Sequence, residues 1–193
     1  MLKGCPCRRE AIVLAAIDVI NENGLQGLST KKIAAKQNIS ESLLYKYFSG
    51  IDDILAGVAD YICRSDTDVM SNIINIDASF KEKIRLYIEA FVGMYDSYPP
   101  LAGVFLQTEG FLCNPHTSPI VLDMSNKRMQ FVEHLIQEGK MSGEIGGDFS
   151  VEELLNILNG ILLGCMLRWK LSGYRFSLKD SVVTAVMKVL DKC

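Results

Sequence analysis

Between residues 30 and 47 stand eight side chains able to engage a polyanion: Thr30, Lys31, Ser40, Glu41, Ser42, Tyr45, Lys46 and Tyr47. The chemistry they offer is that of reading duplex DNA. Hydroxyl, phenol and ammonium groups donate to phosphate oxygens, a lysine also reaches guanine, and a glutamate accepts from cytosine N4. Glu41 has a second use, because an acid in the first turn complements a helix dipole. Catalysis finds no comparable set. The chain has two histidines, His116 and His134, and no Ser/His/Asp grouping, metal-ligand spacing or glycine-rich phosphate loop after a strand. It therefore reads as a non-enzyme that calls for no cofactor and no metal.

Such side chains work only if short helices hold them along one edge. Ser29 or Thr30 caps a short helix over residues 31–37. Asn38 follows and tolerates the left-handed conformation of a tight turn. Ser40 then caps a helix expected from Glu41 to about Phe48, with Ile33, Ala34, Ile39, Leu44 and Phe48 turned inward. Small Ala34 lets the second helix come close. Ahead of this pair, residues 8–23 place Ile12, Ala15, Ala16, Val19 and Ile20 on one face, and Gly24 ends the helix. Three helices in this order form a helix-turn-helix head.

The rest of the chain repeats helical spacing. Helices are expected over residues 51–74, 80–98, 101–111, 120–138, 150–171 and 178–191, with Pro99-Pro100 as a stop and Ser150/Glu153 as a capping box. The fold class is all-α, about nine helices, with a head at residues 1–50 and a larger helical domain at 51–193. Charge divides in the same place. Residues 1–50 carry seven basic against four acidic side chains, while the remainder is net −6. A basic head on an acidic body suits a DNA reader attached to a separate module.

The stretch from Ile12 to Leu55, IVLAAIDVINENGLQGLSTKKIAAKQNISESLLYKYFSGIDDIL, resembles the tetracycline-repressor (TetR) family. The family pattern is an alanine-rich first helix, a glycine before the second, T-x-x-I-A, a V-S turn, L-Y-x-H-F and a following L-L. Ala15-Ala16, Gly24, Thr30, Ile33-Ala34, Ile39-Ser40, Leu44-Tyr45, Phe48 and Ile54-Leu55 fill those places without gaps. Three positions depart from it. Tyr47 stands where the family has His, and its phenol can still donate to phosphate. Ile51 replaces the usual Lys and removes a phosphate contact. Ser42 replaces a frequent Gly. The resemblance implies a ligand-responsive regulator, a repressor released from operator DNA by a small-molecule effector. The alternative is a helical adaptor whose head no longer binds DNA.

The resemblance also implies a homodimer built from the last two long helices. Leu154, Leu155, Leu158, Ile161, Leu162, Cys165 and Leu167 wrap the penultimate helix, Gly160 and Gly164 allow close approach, and a helix apolar nearly all round must be buried. An apolar effector pocket is expected among the central helices. Its candidate lining is Phe91, Met94, Tyr95, Phe105, Met124 and Trp169, with Phe111 and Met129 beside them. Glu109 and His116 are its candidate polar anchors. The longest uninterrupted apolar run, residues 161–167, is too short to span a bilayer, and no signal peptide is read, so a cytoplasmic protein without a membrane partner is expected. The six cysteines read as free thiols, with Cys5-Pro6-Cys7 as a candidate soft-metal or redox pair.

Overall fold

Serine hydroxyls decide where five of the helices begin. Ser29, Ser40, Ser79, Ser150 and Ser177 each accept the backbone N–H three residues on, at 3.1–3.3 Å. Each such cap is worth about 1 kcal/mol. At Ser150 the box closes, because its own N–H donates to Glu153 Oε2 at 2.7 Å. The structure, a computed structural model, describes residues 7–193, and for Ser65 the backbone alone. Among these residues there are ten α-helices and no strand. They are α1 (Arg8–Asn23), α2 (Thr30–Lys36), α3 (Glu41–Leu44), α4 (Ile51–Ile74), α5 (Phe80–Ser97), α6 (Pro100–Phe105), α7 (Thr108–Cys113), α8 (Ser118–Met141), α9 (Val151–Leu171) and α10 (Leu178–Leu190). The all-α fold is borne out. Cys5 lies outside the described residues, and Cys7 is exposed with a free thiol.

The helices gather into two compact units. One holds the described residues up to Arg64 together with Pro100–Asp123, and the other Ser65–Pro99 with Met124–Cys193. The first unit is built on α1. Ile12, Ala16, Ile17 and Ile20 of α1 are fully buried with Ile33, Leu44 and Ile54, and Phe48 is 2% exposed. Gly24 ends α1 at φ 72°, in the left-handed region, with its N–H on the Ile20 carbonyl.

Where one helix was expected over residues 101–111, the chain breaks between α6 and α7 at Gln107. The break has a physical return. The Gln107 side chain accepts from Leu25 N at 2.7 Å, and its amide donates to the carbonyls of Ile20 at 3.3 Å and Gly103 at 3.0 Å. It thus caps the end of α1 at the Ile20 carbonyl from 87 residues away in sequence. α6 crosses α1 so closely that a Cβ on Gly103 would stand 2.7 Å from Asn21 Cα. Gly103→Ala is therefore expected to lower stability by about 1–3 kcal/mol, read as a reduced urea midpoint. An alanine free of this clash would raise stability, since it outperforms glycine inside a helix. A midpoint that rises would contradict the close crossing.

In the second unit α5 packs on α10 and α10 on α9. Phe80, Ile84, Val92, Tyr95, Leu135, Ile136, Leu154, Val182 and Leu190 form its core, each at most 2% exposed. Asp96 at the end of α5 accepts the N–H groups of Leu178 (3.2 Å) and Lys179 (3.0 Å), which fixes the start of α10. Trp169 pins the turn between α9 and α10. Its Nε1 donates to the Phe176 carbonyl at 2.7 Å and its ring meets Tyr174 edge-on at 4.7 Å.

α9 departs from the expectation of burial all round. Leu154, Leu155, Leu158, Met166 and Trp169 are buried, yet Leu163, Leu167 and Leu171 are 53%, 47% and 78% exposed. Asn156, Gly160 and Gly164 share that outer side. The uninterrupted run 161–167 understates the element: α9 has 21 residues, and an 18-residue stretch of it with a mean hydropathy of 1.3 has the length and composition of a helix that could cross a membrane. Its outer face is an apolar stripe that none of the described residues covers.

Candidate functional site

α2 and α3 carry the predicted reading edge. The chain turns between them at Asn38, whose φ of 52° is the left-handed value the turn requires. α3 is shorter than expected. Regular helix ends at Leu44, and tighter bonds from Lys46 N to Leu43 O (3.2 Å) and Tyr47 N to Leu44 O (2.9 Å) continue the coil to Phe48. Leu44 and Phe48 point into the unit, which leaves Tyr45, Lys46 and Tyr47 outside. Tyr45 is 54% and Tyr47 38% exposed, an unfavourable setting for aromatic rings that no partner uses.

The polar members fall into two sets. Some are engaged within the head. Thr30 Oγ1 donates to Glu41 Oε2 at 2.6 Å and ties the start of α2 to the start of α3. Ser40 caps α3 and lies 2.9 Å from the Ser42 hydroxyl. Lys36 pairs with Glu22 at 2.6 Å, and Lys32 donates to Asn23 at 3.0 Å. Lys31 and Lys46 are exposed, and among the described residues neither side chain enters an ion pair or a hydrogen bond. Ile51, half-buried at the first turn of α4, adds no charge to this edge.

A latch that sequence reasoning missed holds the edge in place. The Arg9 guanidinium lies 4.1 Å over the Phe48 ring, donates to the Tyr47 carbonyl at 2.5 Å and pairs with Asp53 at 3.2 Å. Asp53 in turn accepts the Ser49 N–H at 2.9 Å and its hydroxyl at 3.3 Å. α1, the end of the reader and the start of α4 thus meet on one ion pair. Asp53 sits below the usual carboxylate range, first because of the Ser49 N–H bond, then through Arg9, with burial opposing. A depressed folded value gives stability that is complete above the ordinary Asp value of 3.8 and fades as pH falls through the lower folded one. In Asp53→Asn that acid-side loss is expected to shrink, measured as the difference in melting temperature between neutral and strongly acidic buffer. An unchanged difference would remove Asp53 from the latch.

The residues predicted to line an effector pocket divide between the units. Phe105 is half-buried and Glu109 exposed, both in the first unit, as are buried Phe111 and exposed His116. Phe91, Tyr95, Met124 and Trp169 are buried in the second, Met94 is half-buried there, and Met129 is 45% exposed. Only some of them meet. Phe91 stands edge-on to Tyr95 at 5.4 Å and is stacked with Tyr87 at 6.0 Å, and Tyr87 reaches Phe131 at 5.0 Å. Into this aromatic group run two charges absent from the sequence-based list. Arg128 lies 4.8 Å over Phe91, and its Nε and Nη2 both reach Oδ2 of Asp66, which is 3% exposed. Burial pushes the Asp66 carboxyl up, against the opposing pull of Arg128. A signal for this pair existed. Asp66 sits in register with Ile62, Met70 and Ile73, and Arg128 with Met124, Phe131 and Leu135, so opposite charges interrupt two apolar stripes.

Residues 12–58, the stretch that contains the reading edge and the Asp53 end of its latch, match the family model for bacterial regulatory proteins of the tetR family. The match assigns the head to the DNA-binding segment of that family, over 47 of the 193 residues. The chain is similar to the fatty acid metabolism regulator protein of Bacillus subtilis, at 24% identity over 167 residues and 86% of both chains. The fold of this chain matches FadR from Bacillus subtilis, solved in complex with stearoyl-CoA, with a TM-score of 0.77 and 22% identity over 95% of this chain and 97% of that one. It also matches the ketosteroid transcriptional regulator KstR2 of Mycobacterium tuberculosis, with a TM-score of 0.85 and 15% identity over 98% and 96%.

Proposed function

We propose that this chain is a TetR-family regulator that acts as a repressor: a homodimer that holds operator DNA through two heads and releases it when an amphipathic molecule with a long apolar chain enters the second unit. The observation that carries the DNA-binding part is the reading edge itself. Leu44 and Phe48 are spent on the core, while Tyr45, Lys46, Tyr47 and Lys31 remain outside with hydrogen-bonding capacity unspent. Thr30, Ser40, Glu41 and Ser42 complete the edge at the two helix starts, and the Thr30–Glu41 bond exchanges for bonds to DNA. The exposed stripe of α9 supports the homodimer, because leucines at this spacing gain about 1.5–3 kcal/mol each when buried by a second copy. The effector class rests on the relatives named for fatty acid metabolism and on the aromatic interior of the second unit.

Release follows from differential affinity. An effector that favours a dimer with wrongly spaced heads shifts the population away from the DNA-competent state, by about 5–150-fold for ordinary coupling. Fluorescence anisotropy with a duplex that the protein itself selects from random sequence tests both halves. Tight, salt-sensitive binding that weakens on addition of stearoyl-CoA is the expected result. Equal affinity with and without the ligand would exclude this effector class, and no selected duplex at all would exclude the regulator reading.

A further inference from the structure

We infer that Arg128, propped by Asp66 and laid on the Phe91 ring, anchors the anionic head of the amphipathic effector. This rests on the proposal above that the second unit takes a ligand with a long apolar chain, and it names the group such a ligand must carry: a carboxylate or a phosphate, the two anions whose geometry a guanidinium fork matches.

The fold has no need of these charges. A buried ion pair is matched or bettered in stability by apolar residues of similar volume, so an Arg and an Asp set into two apolar helix stripes call for another reason. Buried titratable pairs of this kind mark functional sites. The pair is also lopsided. The Asp66 side chain is 4% exposed and that of Arg128 22%, so Arg128 is the more accessible member of the pair. Its two contacts to Asp66 use Nε and Nη2 on a single oxygen, which leaves the Nη1 side of the fork directed away from Asp66. The rings of Tyr87, Phe91 and Phe131 lie alongside and suit the apolar part of the same ligand.

The site also accommodates the second negative charge. Arg128 from α8 and the phenols of Tyr87 and Tyr95 from α5 are the ionisable groups facing the pair. Asp66, whose carboxyl burial already pushes up, takes a proton from solvent when the ligand anion shares Arg128, and the site keeps its net charge.

Titration calorimetry of the full chain with stearate, stearoyl-CoA and stearyl alcohol, each below its aggregation concentration, tests the anchor. At least one anionic probe is expected to bind about tenfold or more tighter than the alcohol, and Arg128→Met is expected to erase that margin. If stearate alone shows it, the carboxylate is the recognised group. If stearoyl-CoA alone shows it, the phosphates are. Should Arg128→Met unfold, the double variant Asp66→Leu/Arg128→Met removes the charges together and serves the same comparison. A margin that survives loss of Arg128 overturns the anchor, and so does an alcohol that binds as tightly as the acids. In both cases a long-chain effector still stands. Failure of all three probes to bind overturns the anchor together with the effector class.

Discussion

Replacing Leu163 and Leu167 together by glutamate is expected to turn the dimer into a monomer and to weaken operator binding by about a hundredfold or more. Both side chains are about half exposed in the single chain, on the face of α9 that also carries Gly160, Gly164 and Leu171. In the proposed homodimer the wild-type leucines gain from burial in a second copy. Glutamates would instead place unpaired charges in that seam, at several kcal/mol per ion. The operator consequence is multivalency. Two linked heads bind the second half-site at an effective concentration near millimolar, and a lone head loses that advantage. Its affinity then approaches the nonspecific range, about a thousandfold or more below specific binding. Sedimentation velocity and anisotropy on the same preparations read both effects. A double glutamate variant that remains dimeric would place the contact between copies elsewhere.

The second large effect is expected at the head. Tyr45→Ala together with Lys46→Ala should weaken operator binding roughly a hundredfold, since each such contact is worth about 1–3 kcal/mol and each 1.4 kcal/mol is tenfold. Stability should hardly change, because both side chains are exposed and Leu44 and Phe48, which support the helix, stay in place. Lys46→Ala alone separates phosphate from base contact. If Lys46 meets a phosphate, the salt slope of binding falls by about one and all sequences weaken alike. If it meets guanine, the selected sequence relaxes at one position. A double variant that binds the selected duplex as tightly as wild type would shift the function toward a helical adaptor.

Sequence reading was strongest where one local rule decides. Ser29, Ser40 and Ser150 announce their helices because a serine before an apolar-periodic run has one favoured use, and α1 and α4 occur over the residues expected. The reading edge was legible for the same reason: once Ile33, Ala34, Leu44 and Phe48 are assigned inward, helical geometry leaves Tyr45 and Lys46 outward. Gln107 marks where this approach stops. It breaks an otherwise continuous helical pattern, and its purpose, capping α1 across 87 residues, has no local trace. Arg9 and Asp53, 44 positions apart, are equally silent until α1 and α4 are brought side by side.

Local pattern alone thus determined the helical class, the head and the side chains that the head leaves exposed, because capping and 3.6-residue periodicity are interactions between near neighbours. Only the tertiary structure decided which of the apolar residues became core and which became surface. It left half of α9 uncovered, sent Phe105 and Glu109 to a different unit from Phe91 and Tyr95, and brought Asp66 to Arg128. Those outcomes depend on which helices meet and at what distance, and the sequence positions that meet are separated by tens of residues.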